Sequence, residues 1–152
     1  MISVTRVNLD AGVIGDLAPG IERNWEETGG FANLELDIDW DMYRALDECG
    51  VLYVFAAYDC ETHEAVGFIF YIVSPGHPHD KKVPFAIQDT IYVEPEYRKK
   101  GVCTSLLAFA EIYLKSEGVG VVSQSAKPGS GFNKVLERKG YEHTDNMYLK
   151  RL

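Results

Sequence analysis

No window of this 152-residue chain approaches 18 consecutive apolar residues, so nothing in it reads as a membrane-spanning helix. The opening MISVTRVNLD lacks a basic region followed by an apolar run, and no signal peptide is expected. Cysteine is scarce. Cys49, Cys60 and Cys103 are odd in number and fit neither a zinc ribbon nor a redox pair. They read as reduced thiols, which makes a cytoplasmic protein the expectation. Bases are outnumbered by acids, and a net charge of −8 argues against general nucleic-acid binding. No repeat, low-complexity tract or linker interrupts the chain, and its length suits one domain over residues 1–152.

The charge that is present divides unevenly. Residues 1–80 hold 15 acids and 3 bases, whereas residues 81–152 hold 8 acids and 12 bases. The acidity is densest over residues 22–48, with nine acids against Arg23 and Arg44. Such asymmetry fits two partners of opposite sign, and equally a solvated acidic surface.

Hydrophobic spacing predicts the elements. Residues 2–9 alternate as a first strand, with a slip between Val4 and Val7. Leu17, Ile21 and Trp25 recur at helical spacing over 16–28, with Pro19 near the start and Gly29 and Gly30 at the stop. Residues 31–37 read as a loop. Asp39 is the expected N-cap of a helix reaching Cys49, with Met42, Leu46 and Cys49 inward. Strand formers then fill 51–58 and 66–73 around a turn, which predicts a hairpin. A loop over 74–80 leads to a third such strand over 85–93. The longest helix follows over 102–117, with Val102, Leu106, Phe109, Ala110 and Tyr113 on one face. A strand over 119–125, a helix over 131–139 and one or two closing strands over 141–149 complete the chain. The order β-α-α-β-β-β-α-β-α-β predicts an α/β fold, an α+β mixed sheet with helices on its faces.

Chemistry concentrates in IYVEPEYRKKGVCTSLL, residues 91–107. Pro95 cannot continue a ladder and marks the strand's exit. Arg98, Lys99, Lys100 and Gly101 follow, and a helix begins at once. Its first N–H groups have no intrahelical acceptor, so an anion satisfies them at the positive end of the helix dipole. Gly101 lets backbone approach a phosphate without a Cβ in the way. Neither a G-x-G-x-x-G fingerprint nor a G-K-[ST] loop is present.

The run V-x-P-x-Y-R-x-x-G, then a small residue, a helix and a strand, resembles the GNAT superfamily of N-acetyltransferases. Its signature R/Q-x-x-G-x-G/A stands here as Arg98-Lys99-Lys100-Gly101-Val102-Cys103, with Cys103 in place of Gly or Ala. LERKGY, residues 136–141, resembles the family's L/Y-E-x-x-G-F/Y helix end. The likeness is strong over 85–141 and weak over 1–50. It implies a CoA-binding core in the first stretch and acceptor-side helices in the second. It implies acetyl-CoA as co-substrate, with acetyl passing directly to a primary amine. Main-chain groups of Ile91, Tyr92 and Val93 would meet the pantetheine arm, and N–H groups from Lys99 to Thr104 the pyrophosphate, through Lys100, Gly101, Val102 and Cys103. The family's strand commonly bulges and splays from the next.

An amine is mostly protonated at neutral pH, so a base is required. The resemblance points to a carboxylate on the strand before the signature, and Asp89 is the only acid on 85–93. The other reading of Asp89 is a structural carboxylate, bonded to backbone or paired with Lys81 or Lys82. His77 and His79 are runner-up bases on the 74–80 loop. With Asp80 they also suggest metal, but Pro78 and the lack of a second cluster argue against a closed site, and no metal is expected. Leu136 holds the position where the family often has a Tyr as general acid. Asn133 and Ser130 are candidates to bond the cofactor, and Tyr141 reads as core. The expected partners are acetyl-CoA and an amine, with cationic amines favoured by the acidic 22–48 stretch, and neither nucleic acid nor membrane. The chain would act as a monomer or homodimer. The alternative function is a CoA-binding module of the same fold without turnover.

Overall fold

The computed structural model describes residues 1–30, 34–76 and 78–152. Five strands form one sheet in the order β1-β2-β3-β4-β5. The first four, β1 (Ile2–Val7), β2 (Leu52–Asp59), β3 (Ala65–Ser74) and β4 (Phe85–Val93), pair antiparallel in turn. β5 (Val121–Ser123) lies parallel to β4. The helices are α1 (Ala11–Thr28), α2 (Trp40–Glu48), α3 (Val102–Ser116) and α4 (Gly131–Arg138).

Alternation along the strands sorts the core into two layers. Val54, Ala56, Phe68, Phe70 and Tyr92 pack with Leu17 of α1 on one side of the sheet. Phe55, Ala57, Ile69 and Tyr71 pack with Leu106, Leu107, Ala110 and Leu114 of α3 on the other. Because β2 and β3 are covered on both faces, their sequence runs apolar without a break. α1 lies close against the sheet because Gly20 has no side chain: a Cβ there would stand 2.8 Å from the Phe68 ring.

One irregularity in β4 places the site. Phe70 pairs with Thr90 but Tyr71 with Gln88, so Asp89 is an extra residue in the ladder, a β-bulge. Its effect shows in the core: Ala86 and Val93, an odd number of positions apart, both belong to the α3 layer. Strict alternation would put them on opposite faces. The bulge instead turns the adjacent Asp89 and Thr90 both toward α1 and α2, where each finds a partner.

Several expectations are corrected. α1 begins at Ala11, not residue 16, because Asp10 caps it by accepting from Val13 N; two glycines in the first turns hide this start from a propensity reading. Pro19 accordingly sits inside the helix. In α2, Asp39 caps as expected by accepting from Met42 N, but Met42 and Cys49 are exposed. Leu46 faces the core as expected, and Tyr43 joins it there. β5 is shorter than 119–125, since Ser125 N turns to the Gln88 side chain. The closing strands over 141–149 are not formed: Met147, Tyr148 and Leu149 are exposed, and the polar residues before them bring no apolar face to bury.

Candidate active site

The turn between β4 and α3 is held by its own side chains. Pro95–Tyr97 forms a single 3-10 turn, and Tyr97 Oη donates to Asp59 Oδ2 at 2.8 Å. Backbone N–H groups, Glu61's first, and this phenol hold the Asp59 carboxyl below its usual range. Arg98 Nε donates to the Val93 carbonyl at 2.8 Å, Arg98 Nη2 pairs with Glu27 at 2.6 Å, and the guanidinium lies 5.5 Å over the Tyr92 ring. Arg98 is thus committed to the protein and fastens the turn to α1. The Lys100 ammonium stands 4.9 Å over the Tyr97 ring.

Lys99 (φ 65°) and Gly101 (φ 83°) are both left-handed, which folds the chain sharply into α3. Tyr97 N and Arg98 N bond back to the Glu94 carbonyl, at 2.9 and 3.2 Å, and Lys100 N to Tyr97 O at 3.3 Å. The N–H groups of Gly101, Val102, Cys103 and Thr104 meet no acceptor among the described residues, and Gly101 offers no capping side chain. Four donors at the positive end of a 15-residue helix, beside two lysines, suit a bound diphosphate. Val102 is buried and Cys103 half-buried, and burial raises the Cys103 thiol to about 11.

Ahead of the turn the sheet opens. β5 stays in register with β4 only from Phe85↔Val121 to Ile87↔Ser123. Gln88, nearly buried, then reaches across with Oε1 to accept from Ser125 N at 3.1 Å. From there to Val93, no strand among the described residues lies on the β5 side of β4, which leaves Ile91, Tyr92 and Val93 beside a gap. α4 borders the region, but the Asn133 amide nitrogen serves the helix start, bonding Lys127 O at 2.8 Å and Ser130 O and Oγ. Leu136 packs apolar against the α3 core. Tyr141 is half-buried; burial, with its bond to Glu111 at 2.9 Å, raises its phenol to about 12 against the opposing effect of Gln124.

Asp89 lies at the bulge, exposed, about 13 Å along the strand from Val93 at 3.3 Å per residue. Neither Lys81 nor Lys82 pairs with it. Tyr43 Oη of α2 donates to Asp89 Oδ2 at 2.5 Å, while Asn24 Nδ2 of α1 donates to Thr90 Oγ1 at 3.1 Å. His79 is exposed in the loop beyond the last β3–β4 pair, Ser74↔Phe85, at the opposite end of β4 from the turn. His77 lies outside the described residues. The structure therefore does not bring His79 to Asp89. Among the described residues no three His, Cys, Asp or Glu side chains converge as a metal site would require, and no helix is long and apolar enough to cross a membrane.

Sequence reasoning weighed Tyr43 for the cleft but favoured helix packing, and it expected a bulge only from the family resemblance, without placing it at Asp89. It also missed Gln88 as the bridge across the gap. The unusual polarity of both Gln88 and Asp89 within an apolar strand was the available signal.

Residues 17–130 match the model of the acetyltransferase (GNAT) family. No curated protein matches the chain by sequence. Among solved structures, a predicted acetyltransferase with acetyl-CoA from Clostridium acetobutylicum superposes with TM-score 0.76 at 16% identity, covering 99% of this chain and 96% of that one. A ribosomal-protein-alanine N-acetyltransferase from Brucella melitensis biovar Abortus 2308 gives 0.74 at 15%, covering 99% of each. An aminoglycoside antibiotic 6'-N-acetyltransferase from Acinetobacter baumannii gives 0.72 at 19%, again covering 99% of each.

Proposed function

Since the chain belongs to the acetyltransferase (GNAT) family, we propose that it moves acetyl from acetyl-CoA to a cationic primary amine, with Asp89 as the base. The observation that carries this reading is the pairing of two features on one strand. β4 ends in the turn with four unpaired N–H groups, and it bears at its bulge an exposed carboxylate. Acetyl-CoA supplies the thioester. The chain's own residues do the rest. Gly101 to Thr104 hold the diphosphate by main-chain donors, with Lys99 and Lys100 adding charge. The gap-side main chain of Ile91 to Val93 orients the arm. Asp89 removes the proton from the ammonium form of the acceptor, which otherwise has no free pair with which to attack.

Charge supports a cationic acceptor. Glu27, Asp41 and Asp47 are paired with Arg98, Arg44 and Arg6. Glu22, Glu26, Glu35 and Asp37 are exposed and form no ion pair among the described residues. These acids belong to α1 and the segment entering α2, the side toward which Asp89 faces. The aminoglycoside and ribosomal-protein enzymes whose fold it shares lend further support, since their named acceptors bear amines. The three free cysteines fit a reducing cytoplasm.

Calorimetry with acetyl-CoA, followed by thiol release with a panel of amines at low and high salt, tests the proposal. Saturable binding, with turnover highest for polyamines or aminoglycosides and falling as salt rises, is the expected result. A preference for neutral or anionic amines would remove the cationic acceptor. Binding without thiol release on any amine would favour the second reading, a CoA-binding module, toward which the apolar Leu136 points.

A further inference from the structure

The reading of Asp89 as base leaves its surroundings unexplained. Asp89 is exposed, on a bulge, and its carboxylate plane rotates easily because the terminal torsion of an aspartate is broad. A base must meet the acceptor's proton at hydrogen-bond distance. Something has to hold the carboxylate in one orientation, and the only side chain that bonds it among the described residues is Tyr43, at 2.5 Å to Oδ2.

Tyr43 is itself held in place. Its ring meets Phe70 edge-on, at 5.6 Å between centroids and 84° between planes, and Trp40 at 5.9 Å. α2, which carries it, is capped by Asp39 and followed by Gly50, left-handed at φ 73°. The phenol cannot lose its proton in ordinary conditions: burial first, then the Asp89 carboxylate, push it well above its normal range. It therefore keeps the proton that it donates to Oδ2.

Resting on the Asp89 reading above, we propose that Tyr43 is a positioning residue: it fixes Asp89 through Oδ2 and leaves Oδ1 as the oxygen that takes the proton from the acceptor. Asp89 Oδ1 bonds no group among the described residues. α2 thereby acts on the reaction through one hydrogen bond to β4. The same bond brings the acceptor-side helix to the base, so an acceptor that displaces Tyr43 loses the base's alignment.

A double-mutant cycle tests this, since it isolates what one residue does through another. Tyr43→Phe keeps the ring packing on Phe70 and Trp40 and removes only the hydroxyl. The expected result is a kcat about tenfold lower with the KM for acetyl-CoA unchanged, while in an Asp89→Asn background the same substitution changes kcat by less than about twofold. Equal losses in both backgrounds would show that Tyr43 acts independently of Asp89 and would overturn the proposal. A slow Asp89→Asn enzyme beside a fully active Tyr43→Phe enzyme would overturn it while leaving Asp89 as base. An Asp89→Asn enzyme as fast as the parent would remove the base and the positioning role together. Thermal melts separate these from simple loss of packing: if Tyr43→Phe lowers Tm and acetyl-CoA affinity in step with kcat, the bond is structural and the proposal fails.

Discussion

Cys103 stands in the first turn of α3 with its two polar groups in opposite situations. Its backbone N–H meets no acceptor among the described residues, while its thiol is buried and raised to about 11. A raised pKa favours the neutral thiol, and only the thiolate alkylates readily. Iodoacetamide at pH 8 should therefore modify the exposed Cys49 and Cys60 first. The rate at Cys103 should climb about tenfold per pH unit from 8 to 10, followed by peptide mass spectrometry. A Cys103 that reacts at pH 8 as fast as Cys49 would contradict the burial. This position was legible in the sequence as the small residue of the signature. Its burial was not, because that depends on α3 lying against a sheet formed by distant residues. Asp89 was legible for a similar reason: a lone acid on an apolar strand stands out. Tyr43 was not, since an aromatic at helical spacing fits packing, and here it packs on Phe70 and bonds Asp89 at once.

Elements with strong periodicity, β4 and α3 above all, fall within a residue of their expected bounds because their apolar faces are read directly from spacing. The misses have local causes. Asp10 caps α1 ahead of a glycine-rich first turn, and the polar run over residues 142–146 offers no apolar face with which to join the sheet. The resemblance implied a bulge but not its position, and the position decides where Asp89 points. It aims Asp89 at α2, and β5 ends close by, with Gln88 bridging the first step of the gap. Gln88→Leu keeps the volume and removes the acceptor of Ser125 N. The cost should be about 1 kcal/mol, the low end for a lost partner because Ser125 reaches solvent. Tm should fall by about 2–4 °C, and acetyl-CoA should bind more weakly. A variant with unchanged melting and affinity would mean that the gap does not depend on this bridge.

Across the whole molecule the sheet separates two kinds of work. One side carries α1, α2 and most of the acid, and β4 opens on that side through Asp89 and Thr90. The turn into α3 carries Lys99 and Lys100 with the unpaired donors. Composition showed the charge asymmetry, and the fold sets the basic turn at the end of β4 and the acidic helices on the face from which Asp89 projects. Arg98 joins the two halves by bonding Glu27 of α1 and the Val93 carbonyl of β4. The central claim is that one strand binds acetyl-CoA at its turn and activates the amine at its bulge. The most direct test is a comparison of wild type with Asp89→Asn, measuring acetyl-CoA affinity by calorimetry and acetylation of a polyamine by mass spectrometry. The account predicts unchanged affinity in both proteins, one acetyl group added by the wild type, and turnover near neutral pH lower by about a hundredfold in the variant. Equal acetylation by the two proteins, or none by the wild type despite tight binding, would contradict it.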